Sequence, residues 1–160
     1  MNNTGFIAKR VTRSYQQKIN ASSSDVFTLI CPVREAEWLA GWDYELIYSV
    51  SGVAEEGCVF TSKQKGEKDT IWLITKRDAD NKETEFARIT PESRVAKLNI
   101  VVDDADDGTS LVTITYVITA LNESGNKFIE ELTEAKFNEN MAFWEKSMNH
   151  FIQTGKQLAR

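Results

Sequence analysis

The stretch CPVREAEWLAGWDYE, Cys31 to Glu45, gathers the side chains of this chain that could do chemistry. Glu35 and Glu37 flank one turn, and paired carboxylates do general acid–base work when burial separates their pKa values. Two apart on a helix they point in different directions, so at most one faces a common site. Glu35 precedes Trp38 by three positions and can share its face, which makes it the candidate of the two. The opposing reading is a pair of surface carboxylates beside Arg34, and the sequence favours it. Trp38 and Trp42, four apart, each offer a broad apolar face and one donor, which suits the half-wet mouth of a pocket. The same two rings could instead plug a helical pair against a neighbouring helix.

Other chemistries find less support. Cys31 and Cys58 lack paired spacing such as C-x-x-C and are flanked by apolar residues, so both read as free, buried, inert thiols. His150 is the single histidine and has no ligand three or four positions away, so no metal site is expected. The acidic run DDADDG, Asp103 to Gly108, fails as a calcium loop, because Ala105 and Ile114 occupy positions that must ligate. It reads as a hairpin turn closed by Asp107-Gly108. No cofactor motif is present.

The formal net charge is −5 with a pI near 5.0, and no basic run interrupts it. Such a surface repels phosphate backbones, so nucleic acid is not an expected partner. The first residues have no apolar core of signal-peptide length, and no run approaches the ~18 apolar residues of a membrane helix. A cytoplasmic protein without membrane insertion is expected, monomer or homodimer, folding as a single domain over residues 1–160.

Local patterning supplies the elements that must position these side chains. Val11 to Ile19 alternates as a first strand. Ser22-Ser23-Ser24-Asp25 has capping-box spacing ahead of a short helix, which Pro32 is expected to end. Arg34 to Leu39 can form a second brief helix. Six strand-like runs follow, at Tyr44–Val50, Gly57–Lys63, Thr70–Lys76, Thr84–Thr90, Arg94–Val102 and Leu111–Leu121, in one antiparallel meander. In the last, Val112, Ile114, Tyr116 and Ile118 share a face opposite Thr113, Thr115 and Thr119, so the sheet has one buried face. Parity at Thr70–Lys76 and Thr84–Thr90 fits either face. From Glu123 to Thr154 the period becomes helical: Phe137, Met141, Trp144, Met148 and Phe151 form a stripe. Phe128, Ile129 and Leu132 lie out of phase with it, predicting a bend near Asn138 to Asn140, and Gly155 ends the helix.

This order of elements, together with the segments VFTLICPVREAEWLAGW, GCVFTS, TIWLIT, TSLVTITYVITAL and WEKSMNHFIQTGK, resembles the START-like superfamily. That superfamily is also called SRPBCC and includes the polyketide-cyclase and birch-pollen-allergen families. The resemblance runs from about Val11 to Gly155. It implies an α+β helix-grip fold: a seven-stranded curved antiparallel sheet, two short helices after the first strand, and a long C-terminal helix enclosing a hydrophobic cavity. It also implies binding of lipids, polyketides or aromatic molecules, with cyclases, aromatases and condensing enzymes among its members and no catalytic motif common to all.

Placed on that fold, Trp38 and Trp42 belong to the cavity rim, and Tyr48, Phe60, Trp72 and Tyr116 to its sheet wall. Phe137, Met141, Trp144 and Met148 come from the long helix. The expected function is binding of a hydrophobic small molecule. The alternatives are a cyclase or dehydratase acting in the same cavity, and an interaction domain resembling activators of heat-shock chaperone ATPases. A buried carboxylate facing a roomy cavity favours the enzyme, and a collapsed core favours the interaction domain.

Overall fold

The computed structural model describes residues 5–159. Its elements run β1 (Arg10–Ile19), α1 (Ser23–Leu29), α2 (Pro32–Trp38), β2 (Tyr44–Tyr48), β3 (Val59–Ser62), β4 (Thr70–Asp78), β5 (Glu83–Thr90), β6 (Arg94–Asp104), β7 (Ser110–Ala120), α3 (Glu123–Glu131) and α4 (Glu134–Thr154). The strands form one curved sheet in the order β1-β7-β6-β5-β4-β3-β2, every neighbour antiparallel. The helices lie across its concave face.

Strict alternation sets that face. Along β7 the even residues from Ser110 to Ala120 are buried and the odd ones half-exposed. Leu98 and Ile100 of β6, opposite Tyr116 and Ile114, continue the buried surface towards Phe86 of β5. The large apolar faces of sheet and helices are thereby removed from water together, which is the main driving force for the fold.

The Ser22 hydroxyl accepts from the Asp25 N–H at 3.3 Å and starts α1. Pro32 does more than end that helix. It is the first residue of α2, a position where its missing N–H has no helical partner to lose and its fixed φ is already helical. The predicted bend at Asn138 to Asn140 is absent, and the helical region breaks earlier, at Leu132-Thr133. There the Thr133 hydroxyl accepts from the Lys136 N–H at 3.2 Å and caps a new helix. The out-of-phase apolar patches therefore belong to two helices, each with its own buried side, rather than to one bent helix. Gly155 ends α4 in the left-handed conformation, its N–H donating to the Phe151 carbonyl at 2.7 Å.

One glycine is required for space. An added Cβ on Gly125, in the first turn of α3, meets the Ser93 carbonyl oxygen at 2.0 Å and the Ala120 Cβ at 3.0 Å. The same Ser93 carbonyl accepts from the Leu121 N–H at 2.7 Å, so the backbone it belongs to is pinned. Gly125→Ala is expected to lower stability by about 1–3 kcal/mol, the usual range for forcing atoms into a packed site. An unchanged urea midpoint would show that α3 can lift off the β5–β6 turn freely.

Candidate functional site

Between the concave face of the sheet and α2, α3 and α4 lies a cavity of about 400 Å³. Three of its lining residues, Gly41, Lys136 and Asn140, are exposed and mark where it meets solvent, between the loop after α2 and the start of α4.

The sheet wall is built from interlocked rings. Phe60 and Trp72, paired across β3 and β4, stack with centroids 5.3 Å apart. Phe86 meets both edge-on, at 6.4 and 5.8 Å. Trp42 stands edge-on to Phe60 and Trp72, at 6.2 and 6.1 Å. Their polar atoms are already committed: the Trp42 indole donates to the Pro32 carbonyl at 2.8 Å and the Trp72 indole to the Ser62 hydroxyl at 2.8 Å. The wall is thus a rigid aromatic surface suited to a flat apolar body. Phe137 packs edge-on to Tyr116 with centroids 5.8 Å apart and closes the opposite side.

Of the ten side chains placed around the pocket from sequence, Trp42, Phe60, Trp72, Tyr116, Phe137, Met141 and Trp144 line it. The other three do not. Trp38 is fully buried beneath the rim, its indole donating to the Leu29 carbonyl at 3.0 Å and its ring 5.7 Å from that of Trp144. It is the plug of the helical pair, while Trp42 is the wall. Met148 is also fully buried and packs in the core. Tyr48 is 61% exposed, because the pairing of β2 with β3 shifts register between Leu46 and Tyr48 and turns the tyrosine out.

Glu35 departs most from the sequence expectation. Glu37 is a surface residue in an ion pair with Arg34 at 2.5 Å, whereas Glu35 is 7% exposed and lines the cavity. Among the described residues no hydrogen bond or ion pair reaches its carboxyl. The nearby cation, Arg77, is committed elsewhere. Its guanidinium lies over the Phe27 ring and donates to the carbonyls of Ile30 at 2.6 Å and Phe27 at 3.1 Å, closing the end of α1. Burial pushes the Glu35 pKa up to about 8, and the charge of Arg77 offsets only part of this. At neutral pH Glu35 is therefore mostly a carboxylic acid, able to donate a proton or, in its minor ionised form, to take one.

Two more polar groups reach the same cavity. Burial raises the Tyr116 pKa, with Arg88 beside it pulling in the opposite direction and Glu35 adding a smaller upward push. Arg88, on β5, sits over the Trp72 ring with its guanidinium carbon 4.6 Å from the centroid. Arg88 is not among the residues that the sequence singles out. The available signal was its place two residues after Phe86, on the same face of a strand.

The two buried cysteines are free, as expected, and among the described residues no cluster of ligands could hold a metal ion. No helix of the described residues is long and apolar enough to cross a membrane.

No family model matches the chain, and no curated protein matches it. Solved structures do. Norcoclaurine synthase from Thalictrum flavum, in complex with dopamine and hydroxybenzaldehyde, is 13% identical with a TM-score of 0.69, over 93% of this chain and 90% of that one. An aromatase/cyclase from Streptomyces sp. R1128 is 8% identical with a TM-score of 0.69, over 94% of this chain and 100% of the other. Ara h 8.0201 is 11% identical with a TM-score of 0.59, over 91% and 99%. At such identities the likeness is one of fold, and it agrees with the architecture described above.

Proposed function

With the helix-grip fold as the premise, we propose that the chain binds an apolar, ring-bearing small molecule in its cavity and performs acid–base chemistry on it through Glu35, in the manner of a cyclase or dehydratase. One observation carries this reading: a carboxyl that is buried, unpartnered and set in the cavity wall. A protein that only stores a greasy ligand gains nothing from such a group, since burying it opposes folding. A carboxyl whose pKa lies near neutrality, by contrast, is well matched to proton transfer. The neighbouring folds of a synthase and an aromatase/cyclase support the same reading, and a cavity of about 400 Å³ disfavours the interaction-domain alternative.

The chemistry needs no co-reactant. The ionised fraction of Glu35 takes a proton from a carbon next to a carbonyl, and the electron pair of that C–H bond moves onto the carbonyl oxygen. The enolate then expels a β-hydroxyl, to which Glu35 returns the proton as the C–O bond breaks. A double bond and one water result, and Glu35 ends as it began.

The first half of this sequence can be measured without the natural substrate. In D2O the protein is expected to accelerate exchange of the α-protons of 2-tetralone, a two-ring ketone with a benzylic α-carbon, with a rate that rises as the pH passes through about 8. Glu35→Gln is expected to lower that rate about 10²–10⁴-fold, the usual contribution of a positioned acid–base group. Exchange no faster than in buffer, across a panel of ring-bearing ketones that do bind, would reduce the function to binding.

A further inference from the structure

The charged residues lining the cavity are Glu35, Arg88, Arg94 and Lys136. They do not balance. Arg94 is 5% exposed and already neutralised, its guanidinium 2.6 Å from a carboxylate oxygen of Glu67 and lying over the Phe128 ring. Lys136 is exposed at the mouth, and no ion pair engages it among the described residues. Arg88 faces inward from β5, in a row with Trp72 on one side and Ala96 on the other, where the small alanine leaves room above it. Among the described residues no carboxylate forms an ion pair with Arg88. One of its terminal nitrogens donates to the Gln64 side-chain oxygen at 3.2 Å, the Tyr116 hydroxyl is a second neutral partner, and its buried Nε has no hydrogen-bond partner among the described residues. A buried guanidinium donor left unmade is rare in native structures, because the missing bond is lost in full. An acidic chain, with a net charge of −5, thus holds a cavity whose free charges are positive.

We propose that the ligand of this cavity is an organic anion: an apolar, ring-bearing body with one carboxylate, enolate or similar oxyanion, placed beside the guanidinium of Arg88 while its rings lie against the Phe60–Trp72–Trp42 wall. Arg88 holds its partner by a directional, charge-assisted hydrogen bond, which adds orientation to attraction. Lys136 at the mouth adds a long-range attraction that salt screens. The inference rests on the proposed use of the cavity as a small-molecule site and names the class of molecule it selects.

A matched pair of probes tests it. 8-Anilinonaphthalene-1-sulfonate and N-phenyl-1-naphthylamine share one ring system and differ by the anionic group. The wild-type protein is expected to bind the sulfonate at least tenfold more tightly than the neutral amine. Arg88→Met should erase that preference by weakening the sulfonate at least tenfold while leaving the amine within about twofold. Arg88→Lys should keep part of the preference. The amine serves as the control for an intact cavity in each variant. Equal affinity for both probes, or a sulfonate preference that Arg88→Met leaves unchanged, would overturn the anion site while the cavity reading stands. Failure of the wild-type protein to bind either probe would overturn both.

Discussion

Replacing Glu35 by glutamine is expected to remove most of the fall in stability that the wild-type protein shows between pH 5 and pH 8. The wild-type carboxyl ionises at an ordinary value of 4.5 in the unfolded chain and at about 8 in the folded one. Below pH ~4.5 it is protonated in both states and contributes no pH dependence. Above that, the unfolded chain releases its proton while the folded chain keeps it, and stability drops by about 1.4 kcal/mol per pH unit. The loss levels off once the folded carboxyl also ionises, near pH 8, at a total on the order of 5 kcal/mol. That is a large fraction of the ~5–15 kcal/mol that holds a domain together. Glutamine has nearly the same shape and does not titrate, so its curve should lack this slope, whatever its absolute level. Urea midpoints of the two proteins at half-unit intervals from pH 4.5 to 9 give the answer. Parallel curves would mean that Glu35 ionises freely, and the acid–base reading would lose its basis. Because the same carboxyl drives the expected exchange chemistry, the pH at which the stability difference levels off and the midpoint of the rate profile should coincide, both near 8.

The opposition of these two effects explains why Glu35 was hard to read. Sequence patterning assumes that charges go outward, and that assumption places Glu35 and Glu37 together on the surface. The spacing from Glu35 to Trp38 carried the contrary signal, since residues three apart share a helix face and Trp38 turned out to be fully buried. Arg88 is hidden for a different reason. In TEFARIT, either Thr84, Phe86, Arg88 and Thr90 or Glu85, Ala87 and Ile89 can be the inner set, and each holds one charged residue, so a rule that sends charges outward does not choose between them. The first is correct: Phe86 is buried, and the period of two carries Arg88 inward with it. Where no functional charge intruded, local rules were sufficient. The strict alternation of β7, the Ser22 cap and the Gly155 stop are all legible, because each depends on nearest neighbours. The shifted register that exposes Tyr48 and the break at Thr133 depend on how strands and helices pack against one another. Neither is written in a single segment.

Substitutions at the two rim tryptophans are expected to separate stability from binding. Trp38→Ala removes a fully buried ring, its contact with Trp144 and the donor that satisfies the Leu29 carbonyl near the end of α1. The expected loss is about 3–5 kcal/mol, the range for deleting a large aromatic side chain from a core. Trp42 is half-buried, and part of its surface already faces the cavity, so Trp42→Ala leaves less unfilled space behind. A loss of about 1–2 kcal/mol is expected there. The order reverses for ligand. Trp42 makes edge contacts with both Phe60 and Trp72 and completes the aromatic wall, so its loss should weaken either naphthyl probe about tenfold or more. Trp38→Ala, wherever it remains folded, should bind within a few-fold of wild type, since the ring never reaches the cavity. Thermal unfolding and probe titration of the same samples measure both quantities. If Trp38→Ala lost affinity while keeping its stability, the two roles would be exchanged, and the wall of the site would have to be redrawn around α2. The expected pattern instead gives Cys31 to Glu45 two jobs: its tryptophans divide plug from wall, and Glu35 is, among the described residues, the one carboxyl that lines the cavity.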